Sequence, residues 1–423
     1  MPLLRRVPCP PDTALTRLPA EYIPKFIDAL TKPLTEEEKK SGIYNPPIPP
    51  RIAMTGTLDE VQSYFEGDLV AHRNGGPWGR MNDGLPIIPP TEERVAKMLR
   101  GTSHSPDEVI RFGVNLGFEH GHTGKYLATI EKIAVNAVMA GCKPEYMPVI
   151  LAIAESGACI GGASDSSMGN MYVVSGPIAK DIGMNSGFDF LESGNPANMA
   201  LERVAQLMGL NLGHRTNGIS NIERTGNIYW GTTFAENPYT PWDTLNVHNG
   251  YGDDESVLLF WSGKVTLVPF QNIEVKNAKN LEECQAGTPA HAVAALKTLT
   301  NLRGAILNFT PDTAWLWSEK YPDIAGTMEG LQNYIWDNVT WRAGDLYQNY
   351  WFVTHHEDLK ILPRKRGTRQ LNPDHLELPD EAQVPMFDSP DDITVIVAGG
   401  TGPAWTWGGC FAKPQSISID KWR

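Results

Sequence analysis

The chain has 423 residues, of which 41% are apolar and 20% charged, with 40 glycines and 33 prolines. That balance fits a compact, loop-rich globule and excludes a disordered chain. Thirty-six Lys plus Arg against 49 Asp plus Glu leave a net charge of −13, which repels phosphate backbones and anionic lipid and argues against nucleic acid or a membrane surface as partner.

The length predicts two packed lobes. Five widely spaced cysteines (Cys9, Cys142, Cys159, Cys284, Cys410) contain no CxxC pair, so neither a disulfide framework nor a zinc ribbon is expected. The opening MPLLRRVPCPPDT lacks a signal-peptide apolar stretch, and no run of about 18 apolar residues follows, so a cytoplasmic protein without a membrane span is expected. Eleven prolines fall within residues 1–50, which predicts an extended arm. Its Tyr22, Ile23, Phe26 and Ile27 need cover, and a second subunit would supply it, giving a homo-oligomer.

Thr91 caps a predicted helix from Glu92 to Arg100 that Gly101 ends. Apolar residues at helical spacing predict a helix from Tyr126 to Ala140, stopped by Gly141, and another opened by Pro144 or Pro148 and ending near Glu155. Asn195-Pro196 opens a helix to about Met208, and Thr288-Pro289 one to about Leu302. Asn227–Ala235 and Ser256–Val268 read as neighbouring antiparallel strands. Ala305–Phe309 and Ile393–Ala398 are continuous apolar strands separated by helical patterns, the signature of a parallel sheet covered on both faces. The expected class is therefore mixed α/β (α+β): an arm at 1–50, an α+β domain at 51–270, and an α/β lobe with a partly parallel sheet at 271–423. The basic run Arg364, Lys365, Arg366, Arg369 reads as a solvated loop.

Several residues are candidates for chemistry. Glu131 sits in an otherwise apolar helix, and Cys142 lies eleven positions on, within about 20° of it around the axis if the helix continues. Cys142 also lies beside Lys143, just before a helix start, where a thiol pKa falls, so Cys142 is the candidate thiolate and Glu131 the acid or base. The alternative is a core cysteine and a partnered structural carboxylate. His120 and His122 would face one side of an extended segment and could hold a divalent metal ion, with polar loop histidines as the bland alternative.

The small-residue loop from Gly157 through Cys159 to Asp165 and Ser166 can present backbone N–H groups to an anion. Gly399-Gly-Thr-Gly402 follows an apolar strand, where open α/β sheets bind ligands, but lacks the third glycine of a dinucleotide fingerprint. Trp405 and the other tryptophans of the last third, Trp315 among them, would wall an aromatic pocket if they converge. Lys143, Cys159, Asp165, Ser166 and Trp405 are accordingly the candidate substrate-binding residues.

Asp83-Gly-Leu-Pro-Ile-Ile-Pro-Pro-Thr-Glu-Glu-Arg94, Met139-Ala-Gly-Cys-Lys-Pro-Glu-Tyr146, Gly176-Pro-Ile178, Gly183-Met-Asn-Ser-Gly187 and Phe234-Ala-Glu-Asn237 with Pro241-Trp242 occur in this order. Over residues 80 to 260 the chain resembles bacterial proteins of the UGSC (seleno)protein family. That family's selenocysteine-Gly-Ser-Cys motif has no counterpart here, so the resemblance carries over no selenol chemistry. The expected function is a small-molecule enzyme, a thiol-dependent lyase or oxidoreductase at Glu131 and Cys142. The alternatives are a metal-dependent hydrolase or lyase at His120 and His122, and a non-catalytic small-molecule binding protein.

Overall fold

The computed structural model describes residues 31, 33, 51–66, 82–111, 127–160, 168–213, 233–264, 267–269, 287–297, 304–343, 378–387, 389–401, 405–407 and 414–423. Met1–Thr55 and Gly56–Arg423 are separate units, and the proline-rich arm lies almost wholly outside the described residues.

Within Gly56–Arg423 the described helices are α1 (Leu58–Glu66), α2 (Glu92–Met98), α3 (Ile130–Ala140), α4 (Met147–Ser156), α5 (Pro177–Asp181) and α6 (Pro196–Asn211). They continue as α7 (Leu245–His248), α8 (Pro289–Lys297), α9 (Pro311–Lys320), α10 (Pro322–Ala325) and α11 (Met328–Asn338). The first described sheet has the order β12 (Gln415–Ser418), β5 (Val257–Lys264), β3 (Met168–Ser175), β4 (Thr233–Ala235), with β3 and β4 parallel and the other pairs antiparallel. The second has the order β10 (Ile393–Val397), β7 (Ala305–Phe309), β11 (Trp405–Trp407), β6 (Leu267–Pro269), with β7 and β10 parallel and β11 antiparallel to both neighbours. Two antiparallel pairs complete the set, β1 (Val109–Arg111) with β2 (Leu127–Thr129) and β8 (Thr340–Arg342) with β9 (Gln383–Pro385).

The mixed α/β class and the parallel pair thus stand as expected, while β12 returns to the first sheet and β6 joins the second. Helix signals translate into physical caps. The Thr91 hydroxyl accepts from Arg94 N at 3.4 Å and the Thr129 hydroxyl from Lys132 N at 3.3 Å, and Gly141 closes α3 at φ 83. Residues 127–129, expected to begin this helix, instead form β2, because Thr129 is already the cap. β4 and β5 are not neighbours as expected: β3 runs between them. The expected strand Ser256–Val268 is two strands, one in each sheet.

Side chains on the two faces of each sheet separate the cores. Tyr172, Val174, Leu258 and Phe260 pack under α3, α4 and α6 with Ile133, Ile150, Leu201 and Leu207. Met171, Val173, Leu259 and Trp261 point the other way and meet Ile306 and Ile396 of the second sheet. The far face of that sheet, with Leu307, Phe309 and Val395, is covered by Trp317, Leu331 and Ile335 from α9 and α11. The order of layers is helix, sheet, sheet, helix, and it leaves strands buried on both faces. No described helix is long and apolar enough to cross a membrane.

Candidate functional site

The carboxyl ends of the two parallel pairs come together. Beyond β4, Glu236 N donates to Val174 O at 2.9 Å and Asn237 N to Val397 O at 2.7 Å, so one short segment ties the end of the first sheet to the end of β10. Ala398 N donates to Phe309 O at 2.8 Å and Gly399 N to Ser186 O at 2.9 Å, which draws in the loop after α5. That loop is fixed by asparagines: Asn185 Nδ2 donates to Phe188 O and to Asn195 Oδ1, both at 2.8 Å, and Asn198 Oδ1 accepts from Asn185 N at 3.0 Å.

Between these ends lies a cleft of about 560 Å³, within the range of small-molecule sites. α9 contributes Asp312, Trp315, Leu316 and Glu319, and the facing wall contributes Phe188, Asn237 and Tyr239, with Gly399–Thr401 at the base. The Tyr239 and Trp315 ring centroids are 5.5 Å apart with planes tilted by 38°. A β-carbon at Gly400 would overlap the Phe188 ring, so glycine lets backbone and ring meet there. The Trp315 Nε1 is buried with no acceptor among the described residues, and neither Asp312 nor Glu319 has a hydrogen-bond or ion-pair partner there. A more polar cleft of about 700 Å³ lies by Trp242 and Gln332, but both are already engaged, with Ala325 O at 2.8 Å and Ile393 O at 2.6 Å.

Behind Asn237 sits a buried carboxyl. Glu236 Oε2 accepts from Leu245 N at 2.8 Å and lies 2.6 Å from Ser175 Oγ, and Asn246 N donates to the same hydroxyl at 3.2 Å. Burial pushes the Glu236 pKa up to about 7, against the smaller downward pull of its Ser175 and Leu245 bonds.

Glu131 and Cys142 are not brought together. They flank opposite ends of α3, roughly 15 Å apart along the axis, so sharing an angular position places them at no common site. The thiolate expectation for Cys142 also meets a correction. The Gly141 cap and a 3₁₀ turn, Pro144–Tyr146, precede α4, so Cys142 faces no helix N-terminus; although the residue is only half-buried, its sulfur turns inward and donates to Ala200 O at 3.4 Å. Burial of that sulfur pushes the thiol pKa up, and Arg203 opposes this to a smaller extent. Lys143 is exposed, and Cys159 is buried in the core under α4 and α6. Trp405 pairs through its backbone with Pro269 and Asn308. His120, His122, Asp165 and Ser166 lie outside the described residues, among which no group of three ligating side chains could hold a metal ion.

Asp312, Glu319, Tyr239 and Glu236 were not singled out by the sequence, although Phe234-Ala-Glu-Asn237 stood among its motifs and Trp315 and Gly399 among its aromatic and glycine signals. No family model, curated protein or solved structure matches the chain.

Proposed function

We propose that this chain binds a small organic molecule in the cleft at the carboxyl ends of β7 and β10. One observation carries the proposal: an open cleft at strand ends gathers the Phe188, Tyr239 and Trp315 rings beside the Asp312 and Glu319 carboxylates, which have no partner among the described residues. Aromatic walls with a few polar groups are the usual make-up of a small-molecule site. Helix α9 begins directly after β7, and the Gly399–Thr401 segment follows β10, so helix side chains and loop backbone line the cleft together. Asp312 and Glu319 are the groups placed for proton transfer with whatever binds. A cytoplasmic setting belongs to the same proposal and is supported by Cys142 and Cys159, which are unbridged.

The test is a thermal-shift screen of a metabolite panel against the protein and a Leu316→Trp variant, which fills the cleft without changing its charge. Ligands that stabilise the first and not the second support the site. Ligands that stabilise both equally place binding elsewhere, and a panel without a single ligand argues against the proposal.

A further inference from the structure

His104 meets an acceptor at each ring nitrogen. Nδ1 lies 2.8 Å from Glu108 Oε2, and Nε2 lies 2.7 Å from Lys421 O. An ionised carboxylate and a backbone carbonyl only accept, and a neutral imidazole carries one N–H, so the imidazolium alone satisfies both contacts. The second proton belongs on the ring because a carboxylate is the weaker base. The Trp422 ring, 4.9 Å away between centroids, adds an aromatic neighbour that favours a cation. The Glu108 bond and then the Lys421 bond push the His104 pKa above its ordinary value of 6.5.

Lys421 and Trp422 belong to the segment Asp420–Arg423, which follows β12 at the edge of the first sheet. The rest of the segment is tied down by pairs of its own. Glu155 of α4 accepts from Lys421 Nζ at 2.6 Å and from Trp422 Nε1 at 3.0 Å. Asp420 accepts from Ser256 N and from Arg423 Nε, both at 2.6 Å, and Thr102 Oγ1 donates to Trp422 O at 2.7 Å. Glu108 is therefore the carboxylate that faces the ring, while the adjacent Asp107 accepts from Ser105. Among these side-chain types, histidine is the one that ordinarily changes charge between pH 5 and 8.

We infer that His104 makes the segment Asp420–Arg423 a pH-sensitive latch, closed while the imidazole is protonated and loosened once it is not. When the ring releases a proton to solvent, its remaining N–H stays with the Glu108 carboxylate, the stronger acceptor. The Nε2 lone pair then faces the Lys421 carbonyl oxygen, and an attractive contact becomes a repulsive one. The sign follows from the raised pKa: the hold is complete below 6.5 and is lost as the pH rises through the higher value of the folded protein. Glu236 also titrates, at about 7, but from the core, so its effect falls on the whole fold and the latch is read by a local measurement.

The experiment is hydrogen–deuterium exchange read by mass spectrometry on the full-length protein from pH 5.5 to 8.5, each rate divided by that of the unfolded chain at the same pH. The peptide containing Gln415–Arg423 reports the latch, and a peptide over α3 reports opening of the whole fold. The expected result is about tenfold less protection of the first peptide at high pH, beyond any loss in α3, with a midpoint above 6.5. Glu108→Gln removes the charge but keeps an acceptor, and it should move the midpoint down. His104→Phe should leave the segment weakly protected at every pH, with no midpoint; should that variant fail to fold, His104→Gln takes its place. Protection that does not change with pH overturns the latch, as does a pH dependence that survives without His104 or a midpoint that ignores Glu108→Gln. A loss shared equally by the two peptides is opening of the whole fold and overturns it as well.

Discussion

Ser175 Oγ lies 2.6 Å from Glu236 Oε2 and 3.0 Å from Asn246 Oδ1, and a hydroxyl has one hydrogen for these two acceptors. A protonated Glu236 resolves the competition by donating to Ser175, which then donates to Asn246. The geometry thus agrees with a carboxyl that burial holds at about 7.

The consequence is a stability that depends on pH in a defined direction. The folded protein binds this proton up to about pH 7, whereas the unfolded chain releases it near the ordinary value of 4.5. The contribution is therefore fully present below pH 4.5 and is lost as the pH rises to about 7, a change on the order of 3 kcal/mol. Urea unfolding at pH 5 and pH 8 should show wild type losing more stability over that interval than Glu236→Gln, whose amide oxygen keeps an acceptor for Leu245 N. Equal losses in the two proteins would contradict the assignment.

Gly176 follows directly at φ 100 and ψ −179, a conformation almost confined to glycine. A β-carbon there would also collide with the Glu255 carbonyl and the Ser256 backbone, neither of which is a flexible side-chain end. Gly176→Ala should cost about 3 kcal/mol or more in denaturant unfolding. Gly183 provides the control: its φ is 72 but nothing lies within 4 Å of an added β-carbon, so Gly183→Ala should cost only about 1 to 2 kcal/mol. Similar losses at both positions would show that the close approach at Gly176 matters little.

Local signals in the sequence carried as far as local physics reaches. Thr91, Thr129 and Gly141 are legible because a cap is decided by one side chain and a nearby amide. β7 and β10 are legible because AILNF and ITVIV are apolar throughout, as strands buried on both faces must be. β3 is not, because MGNMYVVS begins with small and polar residues and its Met171 and Val173 serve one core while Tyr172 and Val174 serve another, which erases any alternation. The site was legible only in pieces. Trp315 and Gly399 stood out as residue types, but their meeting with Phe188 and Tyr239 is a product of the two sheets' strand ends converging. Glu131 and Cys142 aligned around a helix axis, and the rise along that axis separates them.

Arg203 accounts for the Asp83 motif. Its Nε and Nη2 donate to the two Asp83 oxygens at 2.9 and 3.1 Å, and Nη2 also donates to Pro86 O at 2.8 Å, which pins the segment before α2 onto α6. The Asp83 side chain is only 6% exposed, so removing the guanidinium takes the counter-charge from a covered carboxylate, which keeps the Leu85 N bond to its Oδ1 at 3.1 Å. Arg203→Ala should destabilise by about 2 kcal/mol, and Arg203→Lys should recover only part of this, because an ammonium cannot form the two-pronged contact. Full recovery by lysine would mean that charge alone, and not the fork, matters.

Cys142 should be a slow nucleophile. The attacking species is the thiolate, and its fraction at a given pH falls as the thiol pKa rises. Here the sulfur donates to Ala200 O while burial pushes the pKa up, so the proton is held both by an acceptor and by the cost of burying charge. Arg203 opposes the shift, hence Arg203→Met should slow the thiol further in any variant that stays folded. Iodoacetamide labelling followed by peptide mass mapping at pH 7.5 should find Cys142 at least about tenfold slower in the native protein than in the urea-unfolded chain. The rate should rise toward the unfolded value across the unfolding transition, since only the fold protects the sulfur. Native labelling as fast as the unfolded chain would show a thiolate after all and return Cys142 to the candidates for catalysis.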